Sequence, residues 1–328
     1  MINLKTTYLG LELKNPIIVG SSELNNTVEH IIQHAKEGAG AIVVKSLFEE
    51  QIMMDINAER ANNMYGSYDH IENYVGYYLK KHSIDNYLKL ITDAKKAVDI
   101  PIIGSINCIS ADDWIDYAKK IEEAGADALE VNMFIMPANS DMTGAEIEKI
   151  YMDIAKKLPS VVDIPVAFKI SSYFSGMANF IVELSKTKIK GLVLFNKFYN
   201  PAIDIDNEKL ISQTVYSKPS DNGHTLRWVG ILNNKVDCDI AASTGIHNAK
   251  DVISNLLVGA NAVQMVSSIF INGENHITNT IDELSAWMEK KGYNSIDEFR
   301  GKLSQDFQKN PMMFERAQFM KYFVDSGR

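Results

Sequence analysis

The chain has 328 residues, of which 46% are hydrophobic and 23% charged, with a formal net charge of −9. That length suits one barrel of roughly 250 residues with insertions, and the acidic balance argues against nucleic acid or an anionic membrane as partner. Two cysteines are too few for a disulfide scaffold or a thiolate metal site. No apolar run reaches the roughly 20 residues of a membrane-spanning helix, and no basic-then-apolar leader opens the chain, so a soluble, cytoplasmic protein is expected.

In chain order, Leu4–Leu13 reads as a small hairpin placed to plug the N-terminal end of a barrel. Short apolar runs then recur at Pro16–Ser21, Ala41–Ser46, Pro101–Ile106, Ala128–Met133, Pro165–Ile170, Gly191–Asn196, Asp239–Thr244 and Ala262–Ser267. Continuous apolar runs of this length suit parallel strands buried on both faces. Helical patterns separate most of them: Thr27–Glu37, Ile84–Val98, Ala111–Ala124, Gly144–Leu158, Met177–Ser185, Ala249–Leu257 and Ile277–Lys291. Asn26, Ser83, Ser110 and Asn248 are the expected N-caps. Glycine in the Gly38–Ala41, Ala124–Ala126 and Gly259–Ala262 junctions supplies a left-handed C-cap. Alternation of strand and helix predicts an α/β protein, a closed (β/α)8 TIM barrel with long loops at its C-terminal face. Those loops are Leu47–His82, rich in Asn, Met and Tyr, and the polar Lys197–Arg227. The barrel should occupy about 15–290 of a single domain, with a helical extension, including Ser295–Lys302, over about 291–328.

Polar residues gather where the strands end, which in this fold is where chemistry resides. Lys45 and Lys169 close strands two and five, and a lysine in a crowded pocket needs an anion or a neutral state. A ligand with distributed negative charge, a Schiff-base amine, or pairing with rim carboxylates such as Glu23 and Glu130 all remain open. Asn107, Asn132 and Asn196 end strands three, four and six, and their donor and acceptor edges suit a planar ring carrying imide groups. Thr244-Gly245 and Ser267-Ser268 close strands seven and eight, where barrels often bind phosphate. The seven histidines form no metal-ligand spacing and no nucleophile elbow is present. Phosphate, lysines and amides without metal ligands point to a phosphorylated cofactor.

These residues resemble the dihydroorotate dehydrogenase family of FMN-containing barrels. The likeness runs through Gly10–Ile17, Gly38–Ser46, Ala124–Asn132, Val166–Phe174, Ser243–Ile246, Gly259–Ser267 and Trp287–Gly301. It is closer to the soluble class than to the quinone-linked one. The resemblance implies oxidation of dihydroorotate to orotate in pyrimidine biosynthesis, by hydride transfer to flavin N5. It places Ser21 and Ser22 along the flavin ring, Lys45 between flavin and substrate, and Lys169 at the flavin N1/C2 carbonyl. Asn132 and Asn196 would contact the pyrimidine, Asn107 would join the cofactor set, and Thr244, Gly245, Ser267 and Ser268 would hold the phosphate. A homodimer acting on a small-molecule substrate is the implied assembly.

Two segments depart from the family pattern. The family's proton-accepting Cys, or Ser in the quinone-linked class, falls on Ile135 in Asn132–Pro137, leaving Cys108 or Ser140 as substitutes. The substrate loop reads Asn62-Asn63-Met64-Tyr65-Gly66, without the family's Pro-Asn, and leaves Asn63 as its candidate substrate ligand. A different small cyclic substrate, a Schiff-base aldolase and a non-catalytic flavin-binding protein are therefore alternatives.

Overall fold

The computed structural model describes residues 2–48, 69–107, 111–197, 200–212, 215–308 and 312–315, with backbone only for 69–82 and 111–113 and for a few residues at segment ends. The chain opens on the expected hairpin, β1 (Thr6–Tyr8) against β2 (Leu11–Leu13). Its two-residue loop, Leu9-Gly10, has φ of 58° and 77°, the pair of positive values that a type I′ turn needs. Leucine resists that conformation, but here its side chain is buried, and burial offsets the strain.

Among the described residues, eight parallel strands close the barrel: β3 (Ile17–Val19), β4 (Ala41–Val43), β6 (Ile102–Asn107), β7 (Ala128–Asn132), β8 (Val166–Ile170), β9 (Gly191–Leu194), β12 (Asp239–Ser243) and β13 (Ala262–Met265). A short β5 (Leu47–Phe48) adds to the end of β6, and β10 (Pro201–Asp204) pairs with β11 (Lys209–Ser212) as a separate hairpin. The ring is closed by β13 beside β3 and β4 beside β6. Each predicted apolar run contains one barrel strand. Helices lie where periodicity placed them, Met177–Ser185 with both ends as expected.

Four local expectations need correction. The second helix runs from Asp69 to Ala97, so Ser83 lies inside it rather than at its cap. Thr27 caps the first helix, its side chain accepting from the His30 N–H, whereas Asn26 donates to Glu23. A helix over Asn222–Leu232 stands partly inside the stretch expected to be loop. Its polar opening, Asn-Gly-His-Thr, hides the helical period, and tertiary bonds hold it: Thr225 Oγ1 donates to Ser243 O at 2.8 Å. Finally, Ser295–Lys302 contains only a 3-10 turn, Ile296–Glu298. Asn248 is the N-cap expected, with a reciprocal Asp251 bond, and Gly259 ends that helix at φ 117°. Ser110 lies outside the described residues.

Strand alternation divides the core in two. Outward positions pack against the helices in a large cluster running from Ile17 to Phe299. Inward positions, many of them alanine, form a smaller one with Tyr8, Leu9 and Leu13 of the hairpin. The hairpin is thus the barrel floor. Gly191 makes room for it, since a Cβ there would lie 2.4 Å from Leu9 Cδ2. No helix among the described residues is long and apolar enough to cross a membrane.

Candidate active site at the C-terminal end of the barrel

Two residues beyond the apolar inward layer, every strand again presents an inward side chain. Above Ile103, Ala128, Ala167 and Ala262 stand Ser105, Glu130, Lys169 and Gln264. The interior therefore changes from apolar to polar within one layer. Lys169 Nζ donates to Gln264 Oε1 at 2.8 Å and lies 3.5 Å from Glu130 Oε1. Gln264 Nε2 donates in turn to Glu130 Oε2. All three residues are buried, and Glu130 Oε1 has no hydrogen-bond partner. Tyr8 lies beneath them; burial, followed by the Glu130 carboxylate, pushes its phenol well above the usual range.

The next layer is the rim. Asn196 Nδ2 donates to Asn132 Oδ1 at 2.5 Å, while Asn196 Oδ1 is buried and unpartnered. Two predicted amides are thus brought together, with a free acceptor between strands four and six. Asn107 ends β6, opposite Phe48 in the β5 register and partly exposed.

On the other side, Lys45 pairs with Glu23 at 2.5 Å, with side-chain exposures of 37% and 59%. The hydrogen bond from Lys45 holds the Glu23 carboxyl below its ordinary range. An ion pair this exposed is held weakly, so Lys45 can exchange Glu23 for a ligand at small cost. Ser21 Oγ accepts from the Ser46 N–H at 2.8 Å and contacts Ser46 Oγ at 2.9 Å. Ser46 Oγ lies 2.6 Å from Ser105 Oγ, and the Tyr87 hydroxyl bridges the Ser105 backbone. Ser22 is a cap: its side chain accepts from the Leu24 N–H.

At strands seven and eight the hydroxyls turn inward. Thr244 Oγ1 donates to Phe195 O and Ser268 Oγ donates to Ile246 O. Thr244 and Gly245 both have φ of 80°, and a Cβ on Gly245 would stand 2.2 Å from Asn222 N. What these two positions offer outward is therefore backbone. Ser267 Oγ accepts from the Ser217 N–H at 2.9 Å, and Ser217 Oγ lies 3.1 Å from His247 Nε2.

Asn63 and Cys108 lie outside the described residues. Ile135 packs its side chain against the large core, and its N–H donates to the Tyr151 hydroxyl at 3.1 Å. Sequence reasoning missed Gln264, Ser105 and Asn25 as parts of this end of the barrel. Each left a signal, being a polar residue inside or just after an apolar run. Asn25 is fully buried and donates to Val19 O, Gly20 O and Val43 O, tying the ends of β3 and β4.

A family model described as dihydroorotate dehydrogenase matches residues 3–288. The chain belongs to the dihydroorotate dehydrogenase family. It is 27% identical over 313 residues to a Thermoplasma acidophilum protein named dihydroorotate dehydrogenase B (NAD(+)), catalytic subunit, covering 92% of this chain and 99% of that one. The like-named protein of Thermoplasma volcanium is 29% identical over 313 residues, 92% and 98% of the two chains. That of Methanocaldococcus jannaschii is 28% identical over 301 residues, 88% and 94% of the two chains. The match to this dihydroorotate dehydrogenase family includes every strand of the barrel and both buried charges beneath the rim.

Proposed function

We propose that the chain is an FMN-dependent oxidoreductase of the dihydroorotate dehydrogenase type, oxidising dihydroorotate to orotate in pyrimidine biosynthesis. The observation that carries this reading is a buried ammonium, Lys169, directly beneath a pair of amides at the C-terminal end of a family barrel. The donor set fits FMN. Asn196 Oδ1 is a buried acceptor awaiting a donor such as an imide N–H. Gly20 leaves space that a Cβ would fill, 2.9 Å from Val266 Cγ2, so a flat ring can approach the backbone. When bound, FMN supplies the hydride acceptor, at its N5.

The protein's own groups bind and orient. Lys169 supplies positive charge where the ring gains electrons. Ser21 and Lys45 edge the ring; Ser22 adds its backbone beside them. Asn107, Asn132 and Asn196 supply amide contacts, and the backbone at Thr244, Gly245 and Ser268, with the Ser267 hydroxyl, takes the phosphate. Asn63 and Cys108 complete the candidate substrate-side set. The protein purified from its host should be yellow, and anaerobic dihydroorotate should bleach it. Colourless protein that FMN cannot reconstitute would refute the cofactor assignment.

A second reading has its own observation. Between Asn132 and Pro137 the chain presents Met133, Phe134, Ile135 and Met136, none able to accept a proton, and Ile135 is turned into the core. An FMN oxidoreductase for a different small cyclic substrate fits this wall. Yellow protein that dihydroorotate leaves unbleached, but that dithionite reduces, would select it.

Assembly follows the same division. A homodimer is the expected state, and the β10–β11 hairpin, with Ile203, Ile205 and Leu210 exposed, is the surface suited to it. The relatives named as catalytic subunits favour a different second protein as electron acceptor. Sedimentation of the purified chain alone separates these assemblies.

A further inference from the structure

The buried charges beneath the rim form a closed set whose parts have unequal reach. Lys169 has two partners, the neutral Gln264 at 2.8 Å and the charged Glu130 at 3.5 Å. Gln264 is bound by its other end to Glu130. The amide therefore stands between the two charges: its oxygen takes the ammonium and its nitrogen takes the carboxylate. The side chains of Lys169 and Glu130 are only 11% and 2% exposed, so water does little to screen them. Glu130 Oε1 is left without a hydrogen bond, although an ammonium lies close by. An ammonium drawn fully onto that oxygen would satisfy it, and Gln264 holds the ammonium short of it.

We propose that Glu130 and Gln264 are positioning residues that set the redox potential of the bound flavin through Lys169. This rests on the FMN reading above. Glu130 is the counter-charge that offsets part of the Lys169 field. Gln264 limits the offset by keeping Nζ hydrogen-bonded to an amide rather than closed onto the carboxylate. The negative charge that the ring gains on reduction is stabilised by the remainder of the field.

The two partners then have opposite effects. Glu130→Gln removes the counter-charge, and the midpoint potential rises. Gln264→Met, close in shape, removes the acceptor; Lys169 closes onto Glu130, more of its charge is offset, and the potential falls. Damage to packing alone has no reason to produce shifts of opposite sign.

The experiment uses the full chain loaded with FMN, with flavin stoichiometry measured first and midpoint potentials then read against reference dyes. The expected result is a tenfold or greater change in the reduction equilibrium for each variant, about 30 mV for a two-electron couple. Glu130→Gln should shift upward and Gln264→Met downward. Flavin bound with an unchanged or lowered potential in Glu130→Gln overturns the inference and leaves the FMN reading intact. If Glu130→Gln does not fold, Gln264→Met decides alone: an unchanged or raised potential overturns it. Wild-type protein that takes up no FMN refutes the cofactor assignment itself, and this inference with it.

Discussion

Asn25→Leu should loosen the mouth of the barrel more than any single rim charge. The Asn25 amide is fully buried and its nitrogen serves three carbonyls, Val19 O at 3.3 Å, Gly20 O at 3.0 Å and Val43 O at 2.8 Å. Two N–H groups at about 1 kcal/mol each set a floor near 2 kcal/mol, and carbonyls stranded without a donor raise the loss to about 4 kcal/mol. Deleting Oδ1, which is buried without a partner, recovers a part of this. Leucine keeps the volume, so no cavity term enters. Set against a typical stability of about 5–15 kcal/mol, the loss is large. Urea unfolding should show a lower midpoint with an unchanged slope. Because the tied strand ends carry Ser21 and Lys45, FMN affinity should fall as well. A stability change below about 0.5 kcal/mol would refute the reasoning, since it would mean that the three contacts contribute nothing net.

Other outcomes follow from single residues. Burial holds the His34 imidazole below its ordinary range, so the unfolded chain takes up a proton there that the folded one refuses. Stability is then complete above the unfolded value of about 6.5 and declines as pH drops below it. His34→Leu should flatten that decline in urea titrations at descending pH; an identical slope would refute it. Burial pushes the Cys238 thiol up to about 12, with Asp239 and Asp237 adding to the effect. At pH 8 its thiolate fraction is about one in ten thousand, and iodoacetamide should leave the Cys238 peptide unmodified in native protein. Asp127 accepts from Lys95 Nζ at 2.8 and 2.7 Å and from the Ile102 N–H at 2.7 Å. Asp127→Ala should therefore lower stability by about 1–3 kcal/mol, with the thermal midpoint as the check.

How far the sequence was legible can be argued from particular residues. The Met177–Ser185 helix and the Asn248 cap are local matters, decided by side-chain period and by one amide reaching its neighbours' N–H groups. The Asn222–Leu232 helix was not, because its opening residues show no apolar period and its stability comes from Ser243, Asn255 and Gly245, which approach only after folding. The rim behaved similarly. Lysines and amides at strand ends could be placed there from the run pattern alone. That Thr244 and Ser268 spend their hydroxyls on carbonyls could not, since Phe195 O and Ile246 O reach them from other loops.

The amino-acid sequence by itself determined the barrel, its floor and the polar character of its mouth, because strand period and turn chemistry act over a few residues. Only the tertiary structure decided who partners whom. Gln264 lies 134 residues from Glu130 along the chain and 95 from Lys169, and their contact depends on closure of the ring of strands. Closure brings inward side chains from distant strands into one layer and shuts out water, and in that dry layer each charge must find its counterpart.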